Sequence, residues 1–415
     1  MAVLNSFRGI RPLKDNVRLV ASRPYDVLSS SEAKEEAGEN HLSFYHVIKP
    51  EIDFPSGFNP YSPEVYKKGK ENMDRMISEG IFFQDPEECF YIYRQEMDGR
   101  RQTGIVGCAS VDDYLNNVIR KHELTRPDKE EDRKNHIRVS GMNYEPVFFS
   151  YRASGEIDGL VNKIILSENP EYDFTADDTI AHRFWIVRDK TTIQKIQKLF
   201  LHIPYTYVAD GHHRTAAAAL VGKERRDANP HHTGNEEYNF FLAVLFPDDQ
   251  LKIFDYNRVV KDLNGMTAEE FLKRVSESFI ITAMGGKSVH PADHHTFGIY
   301  LEGKWFSLIA KPGTWNDADP VEVLDVTILD KKILNPLLGI KDQRTDKRID
   351  FVGGIRGTAE LEKRVNNREM RIAFSLAPVT MNQLIAIADT GNIMPPKTTW
   401  FEPKLRSGLV IHSLE

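Results

Sequence analysis

The fold of this chain is decided by the run Tyr205-Thr206-Tyr207-Val208-Ala209-Asp210-Gly211-His212-His213-Arg214-Thr215-Ala216-Ala217-Ala218-Ala219-Leu220. Its opening residues are β-prone and predict a strand that ends at Asp210. The glycine that follows predicts a tight turn, and the alanine-rich residues beyond it predict a helix. An acid, two imidazoles and a guanidinium therefore stand at a helix N-terminus, where backbone N–H groups and the helix dipole favour anions.

This polar turn also has a purely structural interpretation. Asp210 is of a residue type that caps helices, and a histidine pair fits a half-buried turn. We favour a functional site, because five consecutive glycine or chemistry-bearing residues fall in one tight turn and such loops carry function disproportionately.

As a functional site, the run would hold a phosphate group and activate a group beside it. Asp210 would bind Mg²⁺ or accept a proton. His212 and His213 would donate to a transferring phosphoryl group or position its acceptor. The donor-binding residues expected from this run are Gly211, Arg214 and Thr215, with the guanidinium holding phosphate oxygens.

The composition bounds the class of protein. The 415 residues are 40% hydrophobic and 28% charged, as in ordinary globular proteins, and the net charge of −7 lacks the basic footprint of nucleic-acid binding. Cys89 and Cys108 have no zinc-site spacing and are expected to be buried thiols in a reducing cytoplasm. The first residues lack a signal peptide, and the longest apolar run, Phe240 to Phe246, is too short to span a membrane. We expect a cytoplasmic protein with a small-molecule substrate and no nucleic-acid or membrane partner, and the oligomeric state stays open.

Hairpin and helix patterns alternate along the chain, which predicts an α+β fold with a mixed sheet and flanking helices. A β-hairpin is expected from Phe90 to Ala109 around an Asp-Gly turn, followed by an amphipathic helix over Val111–His122. The apolar run Asn239–Pro247 predicts a central strand. Four regions are expected: an N-terminal α+β region at 1–145, a core at 146–261, an inserted α+β subdomain at 262–345, and a C-terminal α/β segment with a Pro-rich loop closing the site at 346–415.

The pair His122-Glu123 is a second candidate for chemistry. A glutamate next to a histidine, just past an apolar helix face, suits a general base. The alternative is a solvated helix end, because Lys, Arg, Asp and Glu surround the pair. We assign substrate binding to His122 together with Tyr25 and Asp26, which lie in a charged turn near the N-terminus.

Two later segments carry further candidates for anion binding. The turn Val352–Thr358 is rich in glycine and contains Arg356, so its backbone amides suit a phosphate. The loop Met394–Lys404 is stiffened by prolines and contains Lys397 and Lys404. The alternative for this loop is a segment packed by its own aromatic residues. We place Arg356, Lys397 and Lys404 among the donor-binding residues.

Five segments are informative together: Arg23-Pro24-Tyr25-Asp26-Val27, Val111-Asp112-Asp113-Tyr114, His122-Glu123-Leu124-Thr125, Ala209-Asp210-Gly211-His212-His213-Arg214, and Met394-Pro395-Pro396-Lys397 through Lys404. On the basis of these segments, the chain resembles, nearly from end to end, a bacterial and archaeal family catalogued as domain of unknown function number one thousand and fifteen. The Asp-Gly-His-His-Arg run also resembles the signature of free serine kinases in the ParB/sulfiredoxin-like superfamily. That resemblance implies a ParB/sulfiredoxin-like core around this strand, turn and helix, with added subdomains.

The resemblance also implies roles for individual residues. Free serine kinases phosphorylate L-serine to O-phosphoserine with ADP or a related donor and Mg²⁺, and a His-Glu pair precedes their Asp-Gly-His-His-Arg run. By this likeness, Glu123 activates the serine hydroxyl and Asp210 has an acidic role in catalysis. The sulfiredoxin branch carries a reactive cysteine where His212 stands here, so sulfinic-acid repair is excluded. The ParB branch binds DNA, which the acidic composition disfavours.

The leading hypothesis is a small-molecule kinase with free L-serine as acceptor. Mg²⁺ and one of ADP, ATP or pyrophosphate would supply the phosphoryl group, and Arg214 would neutralise charge on the donor. The base is Glu123 or Asp210, and the residues leave that choice open. Two alternatives remain: a nucleotide- or phosphate-binding regulatory protein without turnover, and a metal-dependent phosphohydrolase.

Overall fold

A nine-stranded mixed sheet organises the first part of the chain in the computed structural model, which describes every residue from Met1 to Glu415. The strands of the whole chain, in sequence order, are β1 (Leu4–Asn5), β2 (Ile10–Pro12), β3 (Phe82–Gln84), β4 (Phe90–Met97), β5 (Arg100–Ser110), β6 (Ile119–Arg120), β7 (Met142–Asn143), β8 (Val147–Tyr151), β9 (Tyr172–Thr175), β10 (Ala181–Val187), β11 (Thr206–Asp210), β12 (Phe240–Pro247), β13 (Ile253–Phe254), β14 (Tyr256–Val260), β15 (Phe279–Gly285), β16 (Thr296–Leu301), β17 (Lys304–Ala310), β18 (Ile349–Gly353), β19 (Ile372–Leu376), β20 (Trp400–Phe401) and β21 (His412–Ser413).

Helices are distributed between these strands along the whole chain. They are α1 (Val17–Val20), α2 (Ser30–Ala37), α3 (Tyr45–Ile48), α4 (Pro63–Ser78), α5 (Val111–Leu115), α6 (Pro127–Ser140), α7 (Gly155–Ser167), α8 (Lys190–Phe200), α9 (His212–Ala228), α10 (Ala268–Val275), α11 (Asp325–Leu329), α12 (Gly357–Asn366) and α13 (Met381–Asp389). Short 3₁₀ segments cover Pro50–Asp53, Glu237–Asn239, Asp248–Gln250 and Gly354–Arg356, and a π-helical segment covers Asp330–Leu334.

The chain forms two units. The first comprises Met1–Leu251 and Pro403–Glu415, and the second comprises Lys252–Glu402. The first unit is therefore interrupted in sequence, and the last residues of the chain return to it. The four regions expected from the sequence remain a prediction.

The large sheet of the first unit has the order β6-β11-β8-β12-β5-β4-β10-β9, with β1 also paired to β5. The pairs β6/β11 and β8/β12 are parallel, and the other pairs are antiparallel. The predicted α+β class with a mixed sheet and flanking helices is confirmed. A ParB/sulfiredoxin-like core remains a prediction.

The central strand and the helix after β11 form much of the core of this unit. β12 lies between β8 and β5, and seven of its eight residues are buried, which confirms the predicted central strand. Alanines dominate the buried face of α9, and Gly222 lies so close to the Tyr238 carbonyl that an added Cβ would come within 2.3 Å of it. The small side chains of α9 therefore have two effects: they favour the helix through their propensity, and they allow it to pack closely against its neighbours.

The β-hairpin of the sequence analysis is confirmed as β4 and β5. Its two-residue turn consists of Asp98 and Gly99, with φ values of 52° and 76°. Positive φ at both central residues matches the twist of antiparallel strands, and an Asp-Gly pair tolerates it well. The predicted free thiols are also confirmed, since Cys89 and Cys108 are both buried and unbridged.

The helix predicted over Val111–His122 is wrong in its second half. α5 covers only five residues, Asn117 adopts a left-handed φ of 58°, and β6 follows. The Val118 carbonyl accepts the N–H of Thr206 at 3.1 Å, and β6 then pairs in parallel with β11. Pairing with a distant strand outweighs the local helical pattern, because it satisfies backbone groups that would otherwise be buried without partners.

The second unit contains an antiparallel sheet of order β15-β17-β16-β19-β14-β18. Trp305 is fully buried in its core. Arg258 is also fully buried, and its Nη2 donates to the carbonyls of Pro396 and Lys397 at 3.3 and 3.0 Å. This arginine fixes the Pro-rich loop within its own unit. No helix in either unit combines the length and apolar character that crossing a membrane requires.

Candidate functional site

The Asp-Gly-His-His-Arg run forms the predicted strand, turn and helix. β11 ends at Asp210, Gly211 adopts φ 86° and ψ 36°, and α9 begins at His212. Gly211 occupies the N-cap position, and no side chain caps the helix there. Asp210 is therefore not a helix cap, and the first N–H groups of a 17-residue helix face the site.

The Asp210 carboxylate is paired with two cations. Its Oδ2 atom lies 3.2 Å from Lys404 Nζ and 3.8 Å from Arg214 Nη2. Burial alone would raise the pKa of Asp210, but Lys404 and Arg214 outweigh it, and the pKa lies below its ordinary value. Asp210 is therefore charged at neutral pH and is a weak base.

Arg214 is the central cation of the site, with a side chain only 7% exposed. Its Nη1 donates to the Pro146 carbonyl at 2.8 Å, and its Nη2 lies 3.8 Å from Asp26 Oδ2 as well as from Asp210. Burial opposes its charge, but Asp26, Glu145 and Asp210 raise the pKa of Arg214 above its ordinary value. Its Nε is buried and has no hydrogen-bond partner, which marks it as a donor available to a ligand after a small side-chain movement.

Glu123 and two histidines form the neighbouring part of the site. His212 Nδ1 lies 3.9 Å from Glu123 Oε2, and the His122 and His212 rings meet edge to face with centroids 4.5 Å apart. Burial lowers the pKa of His212 to about 4, and it lowers the pKa of His122 well below its ordinary value. Both imidazoles are therefore neutral at pH 7.

The remaining predicted residues of the run support neighbouring backbone. His213 Nε2 accepts the N–H of Arg126 at 3.0 Å and so holds the loop that carries Glu123. The Thr215 hydroxyl donates to the Gly211 carbonyl at 2.9 Å, and Thr215 is fully buried. A direct role of Thr215 in donor binding stays a prediction.

The structure also brings Tyr25 and Asp26 to this cluster. The Arg133 guanidinium stacks over the Tyr25 ring at 3.8 Å from its centroid, and Asp26 faces Arg214. The first unit thus assembles Tyr25, Asp26, His122, Glu123, Asp210, Gly211, His212, His213, Arg214, Thr215 and Lys404. Arg356 and Lys397 belong to the second unit, where Arg356 is exposed at the end of the glycine-rich turn and Lys397 has φ 57°.

A family comparison identifies the chain's relatives. The profile of a family described as "Protein of unknown function (DUF1015)" matches residues 4–327. The chain belongs to this family. The resemblance seen in the sequence is thereby confirmed, and the DUF1015 match includes both the His-Glu pair and the Asp-Gly-His-His-Arg run. No curated protein sequence is detectably similar to the chain.

Several solved structures are distantly similar to this DUF1015 chain. A free serine kinase mutant in complex with AMP shares 12% identity at a TM-score of 0.38, covering 74% of this chain and 91% of its own. A conserved hypothetical protein from Pyrococcus furiosus shares 13% identity at 0.36, covering 74% and 95%. SbnI with a C-terminal truncation from Staphylococcus aureus shares 11% identity at 0.39, covering 74% and 87%. Likenesses this distant establish neither a shared activity nor a shared ligand.

Sequence reasoning missed two residues next to the DUF1015 site. Arg133 is only 9% exposed and pairs with Asp132 at 2.8 Å, although its highly charged surroundings in sequence are typical of a solvated surface. Glu145 is buried beside Arg133 and Arg214. One signal of Glu145 was present in the sequence: it is a lone carboxylate followed directly by the apolar residues Pro146-Val147-Phe148-Phe149.

Replacing Gly211 by alanine is expected to lower the free energy of unfolding by about 2–3 kcal/mol. An alanine there keeps a left-handed conformation, and its Cβ would lie 3.1 Å from Arg214 Nε. Gly57 is the matched control, because its φ is 85° and an added Cβ would meet nothing within 4 Å. Gly57→Ala should therefore cost only about 1 kcal/mol, from backbone strain alone. Denaturant unfolding of both variants checks this, and equal losses would show that Arg214 is not crowded.

The buried, neutral His212 predicts a pH dependence of stability. Its folded pKa of about 4 lies below the ordinary value of 6.5, so between these values the unfolded chain binds more protons. Stability should fall as the pH drops through that window, and His212 should contribute about 2 kcal/mol of the loss between about pH 7 and pH 5. Denaturant unfolding of the wild type and His212→Asn at both pH values isolates this contribution. Identical losses in the two proteins would contradict it.

Proposed function

We propose that this cluster transfers a phosphoryl group from a Mg²⁺-bound donor to the hydroxyl group of a small molecule, with free L-serine as the acceptor. The observation that carries the proposal is the convergence of Arg214 and Lys404 on Asp210 at the N-terminus of α9, with Glu123 and His212 beside them. Two cations at the N-terminus of a helix suit the phosphates of ADP, ATP or pyrophosphate. The adjacent carboxylate suits activation of a hydroxyl group.

The residues present fit a Mg²⁺ ion that arrives with the donor. No three His, Cys, Asp or Glu side chains are grouped as a metal cage. Mg²⁺ commonly needs only one or two carboxylates when substrate phosphates and water supply its other ligands. Asp210 would be the protein ligand, and the ion would neutralise negative charge on the donor phosphates.

The geometry favours Glu123 over Asp210 as the base. Asp210 is occupied by Lys404 and Arg214, which lower its pKa and make it a poor proton acceptor. Glu123 is 36% exposed and has a neutral imidazole as its neighbour. In the proposed step, the acceptor oxygen attacks the terminal phosphorus of the donor, the bond from that phosphorus to the leaving phosphate oxygen breaks, and the hydroxyl proton passes to Glu123. Arg214 and Lys404 stabilise the charge on the transferring and leaving groups.

The acceptor is the least constrained part of the proposal. L-serine follows from the resemblance of the Asp-Gly-His-His-Arg run and the preceding His-Glu pair to the free serine kinases. Tyr25, Asp26 and His122 are the proposed acceptor-binding residues. Asp26 is 38% exposed beside Arg214, so its carboxylate is accessible to a cationic group of the acceptor.

Phosphorus NMR of the purified protein tests this function. The protein is incubated with Mg²⁺ and L-serine, and with ADP, ATP or pyrophosphate in separate tubes. We expect a phosphoserine resonance with one donor, and a rate about 10²- to 10⁴-fold lower in Glu123→Gln, which keeps the shape and removes the base. Glu131→Gln is the control, because Glu131 is a half-exposed carboxylate that pairs with Lys134 and Arg138 on the surface of α6.

Other outcomes would lead to different conclusions. Release of inorganic phosphate at the same rate with and without serine would indicate a phosphohydrolase. Donors that bind but stay intact would indicate the regulatory alternative. Equal rates in Glu123→Gln and Glu131→Gln would remove Glu123 from the mechanism.

A further inference from the structure

Glu145 is a buried carboxylate at the site that the proposed reaction does not use. It lies directly before Pro146, which precedes β8 and whose carbonyl accepts a hydrogen bond from Arg214. Its side chain is only 6% exposed. A carboxylate this deeply buried is costly unless hydrogen bonds and opposite charges compensate for lost hydration.

The compensation for Glu145 comes from three other segments of the chain. Its Oε1 accepts the Tyr25 N–H and the Ser407 hydroxyl, each at 3.1 Å. Its Oε2 lies 3.7 Å from Arg133 Nη1. One carboxylate therefore joins the Tyr25–Asp26 turn, α6 and the returning C-terminal segment.

Glu145 also compensates for the buried positive charge of a second arginine, Arg214. Glu145, Arg133 and Arg214 line one small cavity of about 40 Å³. Burial raises the pKa of Glu145 above its ordinary value, and the charges of Arg214 and Arg133 oppose this rise. Glu145, together with Asp26 and Asp210, in turn raises the pKa of Arg214. Without Glu145, the two buried arginines that line this cavity would have less opposite charge near them.

We propose that Glu145 is a positioning residue, which through its charge holds the guanidinium of Arg214 between Asp26 and Asp210. The geometric part of this proposal stands on the small cavity that Glu145 shares with Arg214 and on the hydrogen bond from Arg214 to the carbonyl of Pro146, the residue after Glu145. Its catalytic consequence rests on the proposed function, in which Arg214 stabilises the transferring phosphoryl group. Glu145 itself touches neither donor nor acceptor and acts through Arg214.

Two variants separate positioning of Arg214 from simple neutralisation of Arg133. Glu145→Gln keeps an oxygen for Tyr25 and Ser407 and removes the charge. The double variant Arg133→Met/Glu145→Gln also removes the guanidinium of Arg133, which loses its counter-charge when Glu145 is replaced. The double variant can therefore be measured even if the single variant does not fold. If Glu145 only neutralises Arg133, Arg214 should keep its contacts with Asp26 and Asp210 in the double variant.

Glu237→Gln is the matched control. Glu237 also holds the C-terminal segment, through His412 Nε2 at 2.8 Å, but it is not a partner of Arg214. A defect caused merely by loosening that segment should therefore appear in this variant as well. We expect Glu237→Gln to retain the position of Arg214 and the turnover of the wild type.

The first measurement is the crystal structure of the double variant. We expect Arg214 Nη2 to move beyond about 4 Å from at least one of the Asp26 and Asp210 carboxylates. An Arg214 that keeps both contacts would overturn the proposal. This readout needs no ligand and no turnover, so an absence of kinase activity in the wild type would defeat the proposed function without deciding the role of Glu145.

The second measurement is the kinetics of serine phosphorylation. We expect kcat of the double variant to fall about 10- to 100-fold below that of the single variant Arg133→Met, which accounts for the lost contacts of Arg133 with Tyr25 and Asp132. Recovery of wild-type kcat in the double variant would overturn the catalytic consequence and would leave Glu145 as the counter-charge of Arg133.

Discussion

Replacing Asp210 by asparagine should lower turnover by about 10³-fold while the protein stays folded. The amide preserves the shape of the side chain but removes the charge that pairs with Lys404 at 3.2 Å and with Arg214 at 3.8 Å. It also removes the proposed protein ligand of Mg²⁺. Steady-state rates of serine phosphorylation and a thermal unfolding curve measure both aspects.

The control for this variant is Asp112→Asn. Asp112 pairs with Arg226 at 2.6 Å, but its side chain is 55% exposed and lies in no part of the proposed site. Its loss should change neither turnover nor folding appreciably, because exposed ion pairs contribute little. Full activity of Asp210→Asn would remove Asp210 from the mechanism, and unfolding of that variant would show that its charge is structural.

Replacing Arg214 by methionine should lower the free energy of unfolding by about 3–5 kcal/mol. Methionine fills a similar volume, but Asp26, Asp210 and the buried Glu145 then lose the cation that balances their negative charge. The Pro146 carbonyl also loses the Nη1 donor at 2.8 Å. Denaturant unfolding monitored by circular dichroism measures this loss.

Arg138→Met provides the comparison for Arg214. Arg138 also contacts two carboxylates, those of Glu131 and Glu224, but on the half-exposed surface of α6 and α9. Its removal should cost only about 1 kcal/mol or less, because solvent screens these pairs. Similar losses in the two variants would mean that the buried network around Arg214 contributes no more than a surface pair.

The strand, turn and helix of the candidate site were predictable, because one short run encodes them. The β-prone residues before Asp210, the glycine after it and the alanines beyond specify strand, turn and helix locally. The hairpin of β4 and β5 is equally local, since Asp98 and Gly99 favour the turn that joins antiparallel strands. Such features need no knowledge of the rest of the chain.

Features that depend on distant residues were not predictable. Val111–His122 has a helical pattern, but the partner of Val118 is Thr206, far along the chain. The same limit concealed Glu145, whose neighbours come from both ends of the sequence. The apolar residues that follow Glu145 indicate that it is buried, but nothing in the sequence shows which distant cations surround it. Its role follows only from the pairing of strands and the return of the C-terminal segment.

The interruption of the first unit affects the order in which its site is made. Lys404 and Ser407 are synthesised after the entire second unit, which the chain enters at Lys252. A ribosome adding about 5–20 residues per second needs on the order of ten seconds for those intervening residues. During this interval the nascent protein contains Asp210 and Glu145 but neither the ammonium group nor the hydroxyl that contacts them. The site is therefore assembled late in translation, and a prematurely terminated chain that lacks residues 403–415 carries an unfinished site.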